Sequence, residues 1–208
     1  MTLKILIRII LSFYLIIAIG FSRSESIGMC ISVSGQLERK GQVRNGIIRK
    51  GDPIYRGDRI KVEDNESLSF MTIYGRDIVD IYENSVIKVI NDKTNKNDLS
   101  EMALFGGKVI IKMDENDDRG FILNAPTAII IAEGSHFIAE YRDELLFNNN
   151  TYSVFTVLSG KIKVQNVKSG KIIYADKGET IISTRDGKFL ALDTFKNSDK
   201  MIEHLEIH

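Results

Sequence analysis

Asp114, Asn116 and Asp118 alternate ahead of Gly120, a spacing with which a loop can gather oxygen ligands around calcium. The match fails at two places. The sixth position of such a loop requires glycine and the twelfth a bidentate glutamate; here they hold Arg119 and Ala125. Arg119 would also set a cation beside the metal, so the segment reads as a solvated turn. His204 and His208 would share one face of a helix, as some zinc ligands do. They lack the intervening general base of a metalloprotease motif and stand at the C-terminal end, where fraying is expected. Ser135 precedes His136, but adjacent strand residues point to opposite faces, so the two do not make a nucleophile and its base. No nucleophile elbow, phosphate-binding loop or dinucleotide fingerprint occurs. Carboxylates are plentiful in turns, and nothing marks out two of them as a glycosidase pair. The expectation is a chain with no catalytic, cofactor-binding or metal-ligating residue.

The bulk properties narrow the class further. Lys and Arg total 28, as do Asp and Glu, so the formal net charge is zero. A phosphate-binding surface needs a basic excess, which argues against nucleic acid as a partner. Cys30 is the single cysteine, which rules out an internal disulfide or a multi-cysteine zinc site. Met29 occupies the place where a lipidated cysteine normally follows a small residue, so Cys30 reads as a buried core residue of the first strand.

The elements that would position any site are strands. Residues 1–24 read as a signal peptide, or as an uncleaved N-terminal anchor. Lys4 and Arg8 precede an apolar run of about 13 residues, short of the roughly 20 that span a bilayer. In either case the remainder is expected to leave the cytoplasm. From Cys30 onward, strand-like segments alternate with glycine turns across residues 30–184. Residues 185–208 form a C-terminal extension, with a short helix expected between Asp193 and Leu205. The stretch from Asn124 to Tyr141 organises the rest. Pro126 precedes a strand, Ile129, Ile130 and Ile131 suit one covered on both faces, and Gly134 bends it. Ser135 secures the bend through its hydroxyl, and Phe137 anchors the second half in the core. A Gly-Lys-apolar opening recurs at Gly107, Gly160 and Gly170 without a fixed period. The fold class expected is all-β: short strands stacked in a β-roll, solenoid-like or sandwich-like domain.

In order and spacing, these segments resemble the FecR-like domain, named for the iron-dicitrate transport regulator, over about residues 31–183. The resemblance is carried by Val33-Ser34-Gly35, Gly57-Asp58-Arg59-Ile60, Asn84-Ser85-Val86-Ile87 and Leu104-Phe105-Gly106-Gly107-Lys108-Val109. It continues in Ala125-Pro126-Thr127-Ala128, Gly134-Ser135-His136-Phe137, Phe155 through Gly160 to Ile162, and Lys177-Gly178-Glu179. Where the family has an Asp-Gly turn, this chain has Tyr74-Gly75. The resemblance implies an extracytoplasmic, non-catalytic β domain that binds an envelope or receptor protein, with β-strand addition as a natural mode. Family regulators also carry a cytoplasmic helical domain that controls a sigma factor, and residues 1–8 are too few to form one. Two alternatives stand beside that expectation. One is a signal-transduction component working with a separate membrane partner; the other is an enzyme or small-ligand binder with a pocket near Gly134.

Overall fold

The computed structural model describes residues 26–73, 76–91, 99–114, 120–143 and 151–191. Among these residues, fifteen strands form one mixed sheet. They are β1 (Ser26–Ser34), β2 (Glu38–Lys40), β3 (Gly46–Ile47), β4 (Pro53–Tyr55), β5 (Arg59–Val62), β6 (Ser67–Thr72), β7 (Ile78–Ile81) and β8 (Ser85–Asn91). They continue with β9 (Ser100–Lys112), β10 (Gly120–Asn124), β11 (Ala128–Arg142), β12 (Tyr152–Asn166), β13 (Ile172–Asp176), β14 (Thr180–Thr184) and β15 (Phe189–Ala191). The all-β expectation therefore holds. Strand pairing starts at Ser26 and runs through Ala191. The helix expected between Asp193 and Leu205 lies outside the described residues, as do Tyr74-Gly75, Arg119 and both C-terminal histidines.

Three long strands organise the sheet by bending. The first half of β9 pairs with β8 and, in parallel, with β10, whereas its second half pairs with β7 and β11. Likewise, the first half of β11 lies between β10 and the second half of β12. Its second half lies between β9 and the first half of β12. One layer thus runs β3–β2–β5–β8–β9–β10–β11–β12–β13, and the other runs β4–β1–β6–β7–β9–β11–β12–β14–β15. The inward residues of both layers, among them Ile60, Ile87, Leu123, Ile130, Val109, Phe137 and Phe155, form one contiguous core. Burying each such side chain contributes about 1.5–3 kcal/mol. This is the sandwich-like form of the expected architecture.

The bends share one construction. At the first, Gly107 (φ +82°) packs so closely on Ser85 that a Cβ would stand 2.5 Å from the Ser85 Cα. The Ser85 hydroxyl donates to the Lys108 carbonyl and accepts from the Lys108 N–H. At the second, Gly160 (φ +75°) packs on Ser135, whose hydroxyl makes the same pair of bonds with the backbone of Lys161. Asn84 (φ 56°) and Gly134 (φ 50°) occupy equivalent places before the two serines. The Gly-Lys echo in the sequence is therefore structural at Gly107 and Gly160, while Gly170 closes an ordinary turn after β12.

Gly134 bends β11 as expected, at a register shift between Glu133 and His136. A β-branched residue at this φ costs about 2–3 kcal/mol, whereas asparagine tolerates the left-handed region. Gly134→Val is thus expected to lower the urea midpoint sharply. Gly134→Asn, which copies Asn84, should lose less than half as much. The isoleucine run needs one correction. Ile130 is fully buried, but Ile129 and Ile131 point to the outer face of the sheet and are only half-buried.

Candidate functional site

Turns closed by an acidic side chain set the geometry around β2, β4 and β5. In Arg49-Lys50-Gly51-Asp52 and Tyr55-Arg56-Gly57-Asp58, the last residue donates its N–H to the carbonyl of the first. Its carboxylate then accepts the first residue's N–H, at 2.9 Å in both turns. Glu66 closes the turn from Glu63 in the same way, and Glu179 the turn from Asp176. The third residue is left-handed each time, which suits Gly51, Gly57, Gly178 and Asn65.

Asp58 does more than close its turn. It is fully buried and pairs with the equally buried Arg39 of β2 at 3.2 Å. The same Arg39 Nη1 donates to the Pro53 carbonyl of β4, and the guanidinium lies 5.7 Å from the Tyr55 ring centroid. Gly41 leaves room for this carboxylate, since a Cβ there would stand 2.0 Å from Asp58 Oδ1. Burial pushes the Asp58 carboxyl up, against the Tyr55 N–H and the Arg39 charge, which pull it down. Arg39 Nε and Nη2 and Asp58 Oδ1 have no hydrogen-bond partner. The pair is a structural knot joining β2, β4 and β5, closed to solvent.

On the outer face above that knot, the strand register brings cations together. Lys40 of β2 stands opposite Arg59 of β5, and Arg59 stands opposite Lys88 of β8. All three are exposed. The Arg59 guanidinium lies 5.1 Å from the ring centroid of Phe105, which is 47% exposed. A groove of about 640 Å³ starts at Lys40 and Arg59 and runs along the strands to Glu38, Glu63 and Glu66. Glu63 is ion-paired with Lys61, and Glu66 accepts from the N–H groups of Gln36 and Glu63.

At the other end of the same layer lies an open edge. Among the described residues, β13 pairs only with β12. The Asn166 N–H donates to the Lys171 carbonyl, so antiparallel alternation turns the backbone N–H and C=O of Ile172 and Tyr174 outward, while those of Asp176 are taken up by Glu179 in the turn that follows. Their side chains are exposed too, Tyr174 at 60% and Ile172 at 45%. Beside them, Ile131, Glu133, Lys161, Lys163 and Tyr174 line a shallow hollow of about 270 Å³. Glu133, next to the Gly134 bend, lines it, and Gly134 itself does not.

The remaining residues singled out in the sequence are placed by the same framework. Ile60 and Phe137 are core residues, Pro126 lies exposed between β10 and β11, and Gly178 sits in an acid-closed turn. Cys30 is buried in β1, and burial raises its thiol pKa. Ser135 is buried at its corner, whereas His136 faces outward opposite Lys112 and Ser159. Partial burial and the Lys112 charge hold the imidazole below its ordinary pKa. The two are not a catalytic pair. No group of three or more His, Cys, Asp or Glu residues capable of holding a metal occurs among the described residues. Sequence reading missed Arg39 and the cation row, because both depend on which strands become neighbours.

No protein-family model matches the chain, and no curated protein does. Among solved structures, it is similar to two crystal structures of a "putative anti-sigma factor" from Parabacteroides distasonis ATCC 8503. The 1.65 Å structure aligns with a TM-score of 0.51 at 19% identity, and the 2.50 Å structure with 0.52 at 18%. Each match covers 64% of this chain, which spans 58% of the length of that protein. At this identity the similarity establishes a shared fold.

Proposed function

We propose that this chain is an exported, non-catalytic protein-binding module of the bacterial envelope that serves as a regulatory component of signalling. The observation that carries the reading is the open edge of β13, where Ile172 and Tyr174 offer outward backbone groups beside their own exposed side chains. An extended segment of an envelope or receptor protein can add to such an edge, taking affinity from main-chain hydrogen bonds and specificity from side chains. Lys171 and Lys177 flank the edge and oppose indiscriminate pairing, as edge lysines do. Fold similarity to a protein described as a "putative anti-sigma factor" and the FecR-like order of motifs support the signalling role. Export rests on residues 1–24.

A photo-crosslinking residue placed at Tyr174 of the full chain in intact cells tests the reading. A discrete protein adduct is expected there, and none from the same residue at Lys50, exposed in the turn before β4. Glycan hydrolysis by the purified chain, with no adduct from position 174, would reverse it in favour of an enzyme.

A further inference from the structure

Lys40, Arg59 and Lys88 form an unbroken row of like charges across three neighbouring strands. Like charges directly opposite one another destabilise a sheet, and stable surfaces place opposite signs there. None of the three makes a salt bridge among the described residues, although the chain carries as many acids as bases. The middle cation is held in place by Phe105. An exposed aromatic ring under a guanidinium preorganises it for a planar carboxylate.

We propose that this row and the groove beside it bind an acidic segment of a protein partner. Its carboxylates would lie on Lys40, Arg59 and Lys88, and its continuation toward Glu38 would be neutral or basic. At its far end the groove is lined by Glu38, Glu63 and Glu66 with one cation, Lys61, ion-paired to Glu63, and the net negative charge left repels a uniform polyanion such as polyphosphate or nucleic acid but accepts a peptide of mixed charge. Successive acids at every second residue of an extended peptide face one side, which suits the flat outer face of β2, β5 and β8. The inference rests on the protein-binding reading and adds the chemistry of what is held, at the end of the layer away from β13.

Calorimetric titration of the full chain with a blocked peptide, Asp-Val-Glu-Val-Asp-Val-Lys, is the test. Saturable binding that weakens with salt is expected, with a loss on the order of tenfold or more in the K40Q/R59Q/K88Q variant. A charge-reversed peptide should not bind. The melting temperature of the variant should stay level or rise, because repulsion within the row is relieved. No saturable binding, equal affinity in the variant, tighter binding of inorganic polyphosphate or a fall in melting temperature would each overturn the inference. A protein adduct from position 174 together with no response to the acidic peptide would remove this inference and leave the protein-binding reading in place.

Discussion

Asp58→Ala is expected to lower the free energy of unfolding by about 3–5 kcal/mol, the cost of leaving one partner of a buried ion pair unmatched. The substitution strands the Arg39 guanidinium, which is fully enclosed and already has two nitrogens without hydrogen-bond partners. It also opens the turn at Gly57, because the Tyr55 N–H loses its acceptor. Asp58→Asn is the informative companion. Its side-chain oxygen can keep the Tyr55 bond but carries no charge for Arg39, so it separates turn closure from charge pairing. The double variant Arg39→Met/Asp58→Asn should recover much of the loss, since the amide keeps the turn bond and no unpaired charge is left buried. Urea unfolding of the four proteins measures all of this. A double variant less stable than Asp58→Ala alone would show that the pair stabilises the fold directly.

Gly107→Ala is the second large effect. Alanine at φ +82° already costs roughly 1–2 kcal/mol, and overpacking adds about 1–3 kcal/mol. The overpacking arises because the new Cβ meets backbone on the facing strand, with Ser85 Cα at 2.5 Å and the Asn84 carbonyl oxygen at 2.6 Å. Neither can retreat without breaking the bonds between the Ser85 hydroxyl and the Lys108 backbone. Gly170→Ala serves as the control. It shares the left-handed conformation, at φ +68°, but its Cβ would enter open space. Thermal unfolding should rank Gly107→Ala well below Gly170→Ala, and equal losses would remove close packing from the explanation.

These two sites also show how far the sequence can be read. Gly57 and Asp58 stand out because a glycine followed by an acid before a strand is a local turn signal, and the structure uses both locally. Gly134 and Ser135 are legible for the same reason, as a glycine interrupting an apolar run. Asn84 and Ser85 build an equivalent corner, yet without a glycine they read only as a connection between two strands. Arg39 looks like one of several charged residues in an irregular stretch, because β2, β3 and β4 are only two or three residues long and show no period. Its burial depends on Asp58 arriving from 19 residues away. The row of Lys40, Arg59 and Lys88 is hidden in the same way. Each residue alternates correctly as a solvated outward position on its own strand, and the accumulation of charge exists only once the register is set.

Protein binding through the β13 edge is decided by proline at one position. Tyr174→Pro removes an outward N–H from the middle of the open edge, while the ladder to β12 uses the N–H groups of Ile173 and Ala175. The full-length Tyr174→Pro chain should remain folded, as judged by circular dichroism, and lose the protein partner that the wild-type chain cross-links and retains. Undiminished retention of that partner by a folded Tyr174→Pro chain would contradict strand addition at this edge.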